Sequence, residues 1–218
     1  MTKTYYISQL KEIYRLKKSA IFSRLKEFRN LWLHGSDEDI FAELAFCLLT
    51  PQSKAKSCWA ATERLKEYNL LFDGSAEHIK KCLHHFVRFH NKKAEYLVRV
   101  RNHFMHDGVL SIKKQLNNFK NVYECRDWLV KNIKGFGYKE ASHFLRNIGF
   151  GDKIAILDRH ILKNLYKLGV IQEIPETISR SKYLNIEIKM AEFGKKHNIP
   201  LSHLDILLWF KETGEIFK

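Results

Sequence analysis

Helical periodicity runs through almost the whole chain and leaves little room for any other kind of structure. Apolar residues recur three and four positions apart from Leu10 onward, and only three prolines and ten glycines interrupt 218 residues. Those breakers fall mostly between periodic segments, where they end helices rather than kink them. Strand-like alternation has little support, and the stretch VIQEI at 170–174 reads equally well as loop. The expected fold is therefore all-α, with about ten helices.

Local signals place the helix ends. Leu10 to Leu16 starts a first pattern, resumed after a break by Ile21 to Leu31. Ser36 can cap the run that follows, with Asp39 three residues on, and Pro51 ends it. Further periodic segments are Ser53 to Leu70, Ala76 to Phe86 behind Ser75, one from Asn91, and Asn121 to Ile133. Asp107-Gly108 is a turn. The last third offers Asp158 to Leu168, stopped by Gly169, then 178–197. Pro200 opens a final helix, with Ser202 as the expected cap and Asp205 three residues on. No fixed-period repeat or linker is visible.

Composition narrows the partners. A hydrophobic fraction of 45% supports a real core. The net charge of +14 favours a polyanion, because neutralising phosphates releases their counterions. An aromatic fraction of 13% interleaved with basic residues suits base stacking. The four cysteines, Cys47, Cys58, Cys82 and Cys125, form no C-x-x-C pair, so neither a zinc site nor an iron–sulfur cluster is signalled. Free thiols fit a reducing cytoplasm. The N-terminus lacks the apolar core of a signal peptide, and no apolar run is long enough to span a membrane.

The chemistry concentrates between Lys134 and Leu168. Gly135 and Gly137 flank Phe136 between two predicted helices. Glycine admits φ > 0 and removes side-chain bulk. Successive N–H groups can then face a phosphate, aided by the positive end of the next helix. Lys139 stands in the first turn of that helix, where the dipole disfavours a cation and so favours the nucleophilic amine. Asp158 follows nineteen residues later, after Ile154 to Leu157 and before another periodic segment. It fits a helix N-cap. As an ionised carboxylate near a sugar it could also stabilise an oxocarbenium-like transition state. His160 is placed either to meet DNA or to pack in its helix.

These residues carry a resemblance. Gly-Phe-Gly-Tyr-Lys-Glu-Ala (135–141), followed by Leu-Asp-Arg-His-Ile (157–161), resembles the helix–hairpin–helix signature of the endonuclease III-like DNA glycosylases. In that superfamily a lysine at the position of Lys139 marks bifunctional glycosylase/AP lyases, and the aspartate is essential. The endonuclease III branch carries a four-cysteine cluster after this region, whereas no cysteine follows Cys125 here. The C-terminal segment 201–218, LSHLDILLWFKETGEIFK, and Val87 to Leu97 are instead similar to the second-type 8-oxoguanine DNA glycosylase/AP lyases of archaea and some bacteria.

The resemblance implies two helical lobes with the lesion pocket between them. One is a six-helix lobe at 36–150 containing the hairpin; the other is formed by 1–35 with 151–218. It implies catalysis by Lys139 and Asp158. It places Lys134, Gly135, Gly137, Tyr138, His160 and Gln52 against duplex DNA that contains oxidised guanine. Base recognition falls to Phe89, Asp205, Trp209 and Lys218. A flipped purine needs both faces covered and its edge read. Phe89 and Trp209 would stack, Asp205 would accept from N1–H and the 2-amino group, and the Lys218 ammonium would favour the added oxygen. No dissolved cofactor and no side-chain metal site are expected. A monomer without membrane contact, cytoplasmic and nucleoid-associated, is the expected setting. An oxidised-pyrimidine glycosylase/lyase and a non-catalytic helix–hairpin–helix DNA-binding protein remain the alternatives.

Overall fold

The computed structural model describes residues 2–218. Its helices run in chain order as α1 Lys3–His34, α2 Asp37–Leu49, α3 Ala55–Glu67, α4 Leu70–Asp73, α5 Ala76–Leu83 and α6 His90–Phe104. They continue as α7 Ile112–Leu116, α8 Val122–Asn132, α9 Tyr138–Asn147, α10 Arg159–Lys167, α11 Arg180–Lys196 and α12 Leu201–Thr213. The fold is all-α, as the periodicity predicts. The described residues hold one small exception: β1 Met105–His106 pairs antiparallel with β2 Val109–Leu110. Asp107 and Gly108, at φ 51° and 78°, make the tight turn between them. The 170–174 stretch is not a strand.

Helix α1 is unbroken over 32 residues, where the apolar pattern suggests two helices. The gap, Lys17 to Ala20, holds neither glycine nor proline, and residues 18–20 are exposed. Missing apolar side chains there mark a solvent face rather than a helix end. The cap of α2 forms as expected: Ser36 Oγ accepts from the Asp39 N–H, and Asp39 Oδ2 accepts from the Ser36 N–H. The cap of α12 does not. Pro200 takes the N-cap position, and Ser202 lies inside the helix, bonded to Asp152 Oδ1 at 3.4 Å. Asp205 is thereby two residues further in than a capping role allows, and it is buried.

Two apolar clusters build the core. One gathers Ile40 to Ile154 around α2, whose residues from Ile40 to Leu49 are all buried. The other joins α1 to the segments from Ala155 to Leu208. A buried ion pair ties them: Arg126 on α8 donates to both carboxylate oxygens of Glu187 on α11, at 2.6 and 2.9 Å. Glu187 also accepts from the Ala155 N–H at 2.7 Å. Every oxygen of that carboxylate is therefore engaged, which is what makes so deep a pair tolerable. Helices α9, α10 and α12 start or pass beside the junction, and their side chains converge there.

Candidate active site

A pocket of about 970 Å³ is lined by the 50–53 loop, α9, the start of α10, the 174–178 segment, α12 and Lys218. Its end nearest Lys139 and Asp158 is set by two helix starts. Gly135 takes φ 95°, and a Cβ there would lie 2.7 Å from the Tyr96 ring, so both conformation and space demand glycine. Gly137 differs from the expectation: its backbone is extended, at φ −105°. Its N–H is already given to Glu140 Oε2 at 3.1 Å. The N–H groups left without a partner within the helix are those that open α9 after Gly137. The Tyr138 hydroxyl is held by Asp127 at 2.5 Å and by Arg180 at 2.6 Å, which fixes where α9 begins.

Lys139 enters the pocket from the first turn of α9. Its Nζ donates to Thr50 Oγ1 at 3.0 Å and lies 3.8 Å from Glu140. Asp158 caps α10, its Oδ1 accepting from the Ile161 N–H at 2.8 Å, and it lines the same pocket. Lysine and carboxylate, far apart in sequence, therefore share one cavity. The thiols do not compete as nucleophiles. Burial pushes Cys58 up to about 11 and Cys125 up to about 12.

The far end is buried and polar. Asp205 faces Arg146 at 3.6 Å, both more than nine-tenths covered. Burial raises the Asp205 carboxyl to about 6; Arg146 opposes that shift, and Asp158 adds to it. Trp209 lines the wall, with His160 edge-on to it at 5.2 Å between ring centres. His160 is half exposed and 3.9 Å from Glu212. Gln52 sits at φ 54° at the tip of the loop, where it meets the pocket.

Two placements differ from expectation. Phe89 is 56% exposed and is absent from the pocket wall, so it does not face Trp209 across the cavity. It stands before α6 with left-handed backbone, φ 56°, and it is Arg88 that lines the pocket. Lys218 lines the pocket, but its ammonium is turned inward to Glu43 Oε1 and lies 3.2 Å from the Trp59 ring centre. A buried carboxylate attracts it more strongly than the cavity does. Lys134 is exposed beside the hairpin and outside the pocket.

Sequence reading missed several participants. His143 and Arg146 lie four and seven residues after Lys139, on the same helix face, and that spacing could have found them. Glu43, a lone charge in the apolar run of α2, needed a partner and has two, Lys218 and Asn147. Lys93 is buried, donating to the Leu49 and Pro51 carbonyls at 2.8 and 2.9 Å and to Ser53 Oγ at 3.1 Å. Among the described residues no cluster of His, Cys, Asp or Glu is arranged to hold a metal ion. None of the helices there is long and apolar enough to cross a membrane.

A two-cluster helical body, a glycine turn leading into a lysine-bearing helix and an aspartate in the shared cavity define a helix–hairpin–helix DNA glycosylase fold. The sequence profile of the family described as 8-oxoguanine DNA glycosylase matches residues 21–199. An 8-oxoguanine DNA glycosylase/AP lyase from Fusobacterium nucleatum is 50% identical over 218 residues, covering 100% of both chains. The crystal structure of the 8-oxoguanine DNA glycosylase of Thermotoga maritima superposes with a TM-score of 0.88 at 31% identity, over 99% of this chain and 100% of that one. The Methanocaldococcus jannaschii 8-oxoguanine glycosylase/lyase, crystallised with 15mer DNA containing 8-oxoguanine, gives 0.86 at 38% identity, over 97% and 100%. The chain belongs to the 8-oxoguanine DNA glycosylase family.

Proposed function

We propose that this protein excises 8-oxoguanine from duplex DNA and then cuts the strand, with Lys139 as nucleophile and Asp158 as its assistant. The observation that carries the reading is the convergence of Lys139 and Asp158 on one pocket in a member of this family. The Lys139 amine attacks the anomeric carbon as the base departs. Asp158, held by its cap, offers a fixed negative charge to the oxocarbenium-like transition state. The sugar then opens to a Schiff base on Lys139, and β-elimination breaks the 3′ C–O bond. No step calls for a dissolved cofactor. The two apolar clusters act as two lobes, at 36–150 and at 1–35 with 151–218, so that the base enters between them.

Duplex DNA lies across the hairpin. The α9 N-terminus, with Gly135, Gly137 and Tyr138, takes one phosphate, and Lys134 adds positive charge beside it. Gln52 reaches into the gap left by the flipped base, and His160 borders the strand. Inside, Trp209 covers one face of the base. Asp205 accepts from the N1–H and 2-amino donors. Lys218 closes the floor through its backbone rather than its ammonium, which Glu43 holds. The exposed Phe89 ring is free to stack on bases near the pocket mouth.

Incubation with duplexes carrying one 8-oxoguanine, one oxidised pyrimidine or one abasic site tests the reading. Borohydride should trap a covalent adduct, strongest with 8-oxoguanine among the base lesions. Lys139→Gln should abolish the adduct and lower strand cutting by about 10⁴-fold or more. Preference for the pyrimidine lesion would overturn the substrate, and an adduct surviving in the variant would overturn the nucleophile.

A further inference from the structure

One buried, titratable group in the pocket has no role in that scheme. His143 is 6% exposed, lines the cavity and sits one turn beyond Lys139 on α9. Neither ring nitrogen, Nδ1 or Nε2, has a side-chain hydrogen-bond partner, and the Lys218 backbone is the one protein group near enough to favour its protonated form. Buried polar groups nearly always find a partner, so an imidazole with neither nitrogen engaged by a side chain is an exception that calls for a ligand. The ring is gripped on its apolar side, edge-on to Phe46 at 5.4 Å, which fixes its plane without using its nitrogens. Three cations surround it, Lys139, Arg146 and Lys218, and with burial as the largest cause they hold it well below the ordinary imidazole range. It is therefore a neutral ring with one donor and one acceptor.

We infer that His143 reads the expelled base, its ring N–H donating a hydrogen bond to a carbonyl oxygen on the edge of the purine. The inference rests on the pocket being a base pocket, as proposed above. The partners on that wall divide the work. The ionised Asp205 only accepts, and Arg146, 3.6 Å from it, donates only as a cation. His143 is an uncharged donor on that wall with no side-chain partner. A neutral donor suits a neutral base. It leaves the anionic leaving group unprotonated, so it holds the base without serving as the acid.

An abasic site has no base for His143 to touch, and this separates recognition from a merely structural role. Single-turnover rates would be measured on an 8-oxoguanine duplex and on a preformed abasic duplex, for the wild type, His143→Leu and His143→Gln. Leucine keeps the bulk, and glutamine restores an N–H donor. The ratio of base excision to abasic-site cleavage should fall about tenfold in His143→Leu, the weight of one buried hydrogen bond, and recover at least in part in His143→Gln. Equal losses on both substrates, alongside a lowered melting temperature, would mean that His143 only packs against Phe46 and would overturn the inference. An unchanged ratio with full activity would overturn it as well. A wild type that cuts abasic DNA yet ignores 8-oxoguanine would overturn the substrate assignment instead, and that appears in the control lane.

Discussion

The two ends of the pocket are built by different means. At the proposed catalytic end, Lys139 and Asp158 each stand at a helix start, and local backbone chemistry fixes them: the turn at Gly135, the Glu140 bond to the Gly137 N–H, and the Asp158 cap. At the recognition end, His143, Arg146, Asp205 and Lys218 are held by distant partners on α2, α9 and α12. The first end is partly open to solvent, the second almost dry. Chemistry on a sugar needs access to the DNA backbone. Discrimination between purines needs desolvated groups, because an unmet donor or acceptor then carries its full penalty.

The contrast can be broken most forcefully at Asp158. Asparagine caps helices about as well as aspartate, so Asp158→Asn should leave α10 and the fold intact. Base excision should nevertheless fall about 10²- to 10³-fold, the usual scale for losing one transition-state charge, while affinity for lesion DNA changes by about twofold or less. Single-turnover rates and a binding isotherm check this. Equal losses in rate and affinity would reduce Asp158 to its capping role.

At the dry end the handle is pH. The Asp205 carboxyl titrates near 6, raised by burial. The sign follows from proton binding. Between the ordinary carboxyl value and about 6, the folded chain holds a proton that the unfolded chain has lost. Stability therefore declines as pH rises through that window and levels off above it. Activity runs the other way, since only the ionised form accepts two N–H donors. Base excision should rise through pH 6 in the wild type. Asp205→Asn should lose this limb and about 10²-fold in rate at neutral pH, because its amide places a donor against donors. Abasic cleavage, which needs no base contact, should lack the limb in both proteins. A limb unchanged in Asp205→Asn would assign the titration elsewhere.

This difference in construction is also why one end was legible in the sequence and the other only partly so. Caps, turns and helix starts are local, so Ser36, Gly135, Lys139 and Asp158 declare themselves within a few residues of chain. The continuity of α1 was misread because the exposed Lys17 to Ala20 face resembles a break. The direction of the Lys218 ammonium was beyond reach, since Glu43 lies 175 positions away and only the folded chain brings them together. Phe89 was placed by the resemblance, which says nothing of the left-handed backbone at this position or of a ring exposed outside the cavity.

Lys93 tests whether the catalytic end is as local as it looks. Its buried ammonium is bonded to two carbonyls and a hydroxyl of the 49–53 segment, which carries Thr50, the acceptor of Lys139, and the left-handed Gln52. A partner forty positions away thus supports the loop that holds Lys139. Burial depresses Lys93 to about 8, with Cys58 and Glu140 opposing the shift and Lys139 reinforcing it. Between about 8 and the ordinary lysine value the unfolded chain binds the extra proton, so the Lys93 contribution to stability grows as pH rises through that range. The neutral amine has one N–H fewer for its three acceptors, so the loop loosens as the fold tightens. Lys93→Met should lower base excision and abasic cleavage together, by about tenfold, and destabilise by about 1–3 kcal/mol for the carbonyls left unpaired. Lys93→Arg keeps a charge that does not titrate in this range, and should restore much of the rate while flattening the stability profile above pH 8. Parallel losses on both substrates would put Lys93 with the catalytic end. A loss confined to base excision would move it to the recognition end, and a fall in stability with both rates intact would show that the loop does not position Lys139.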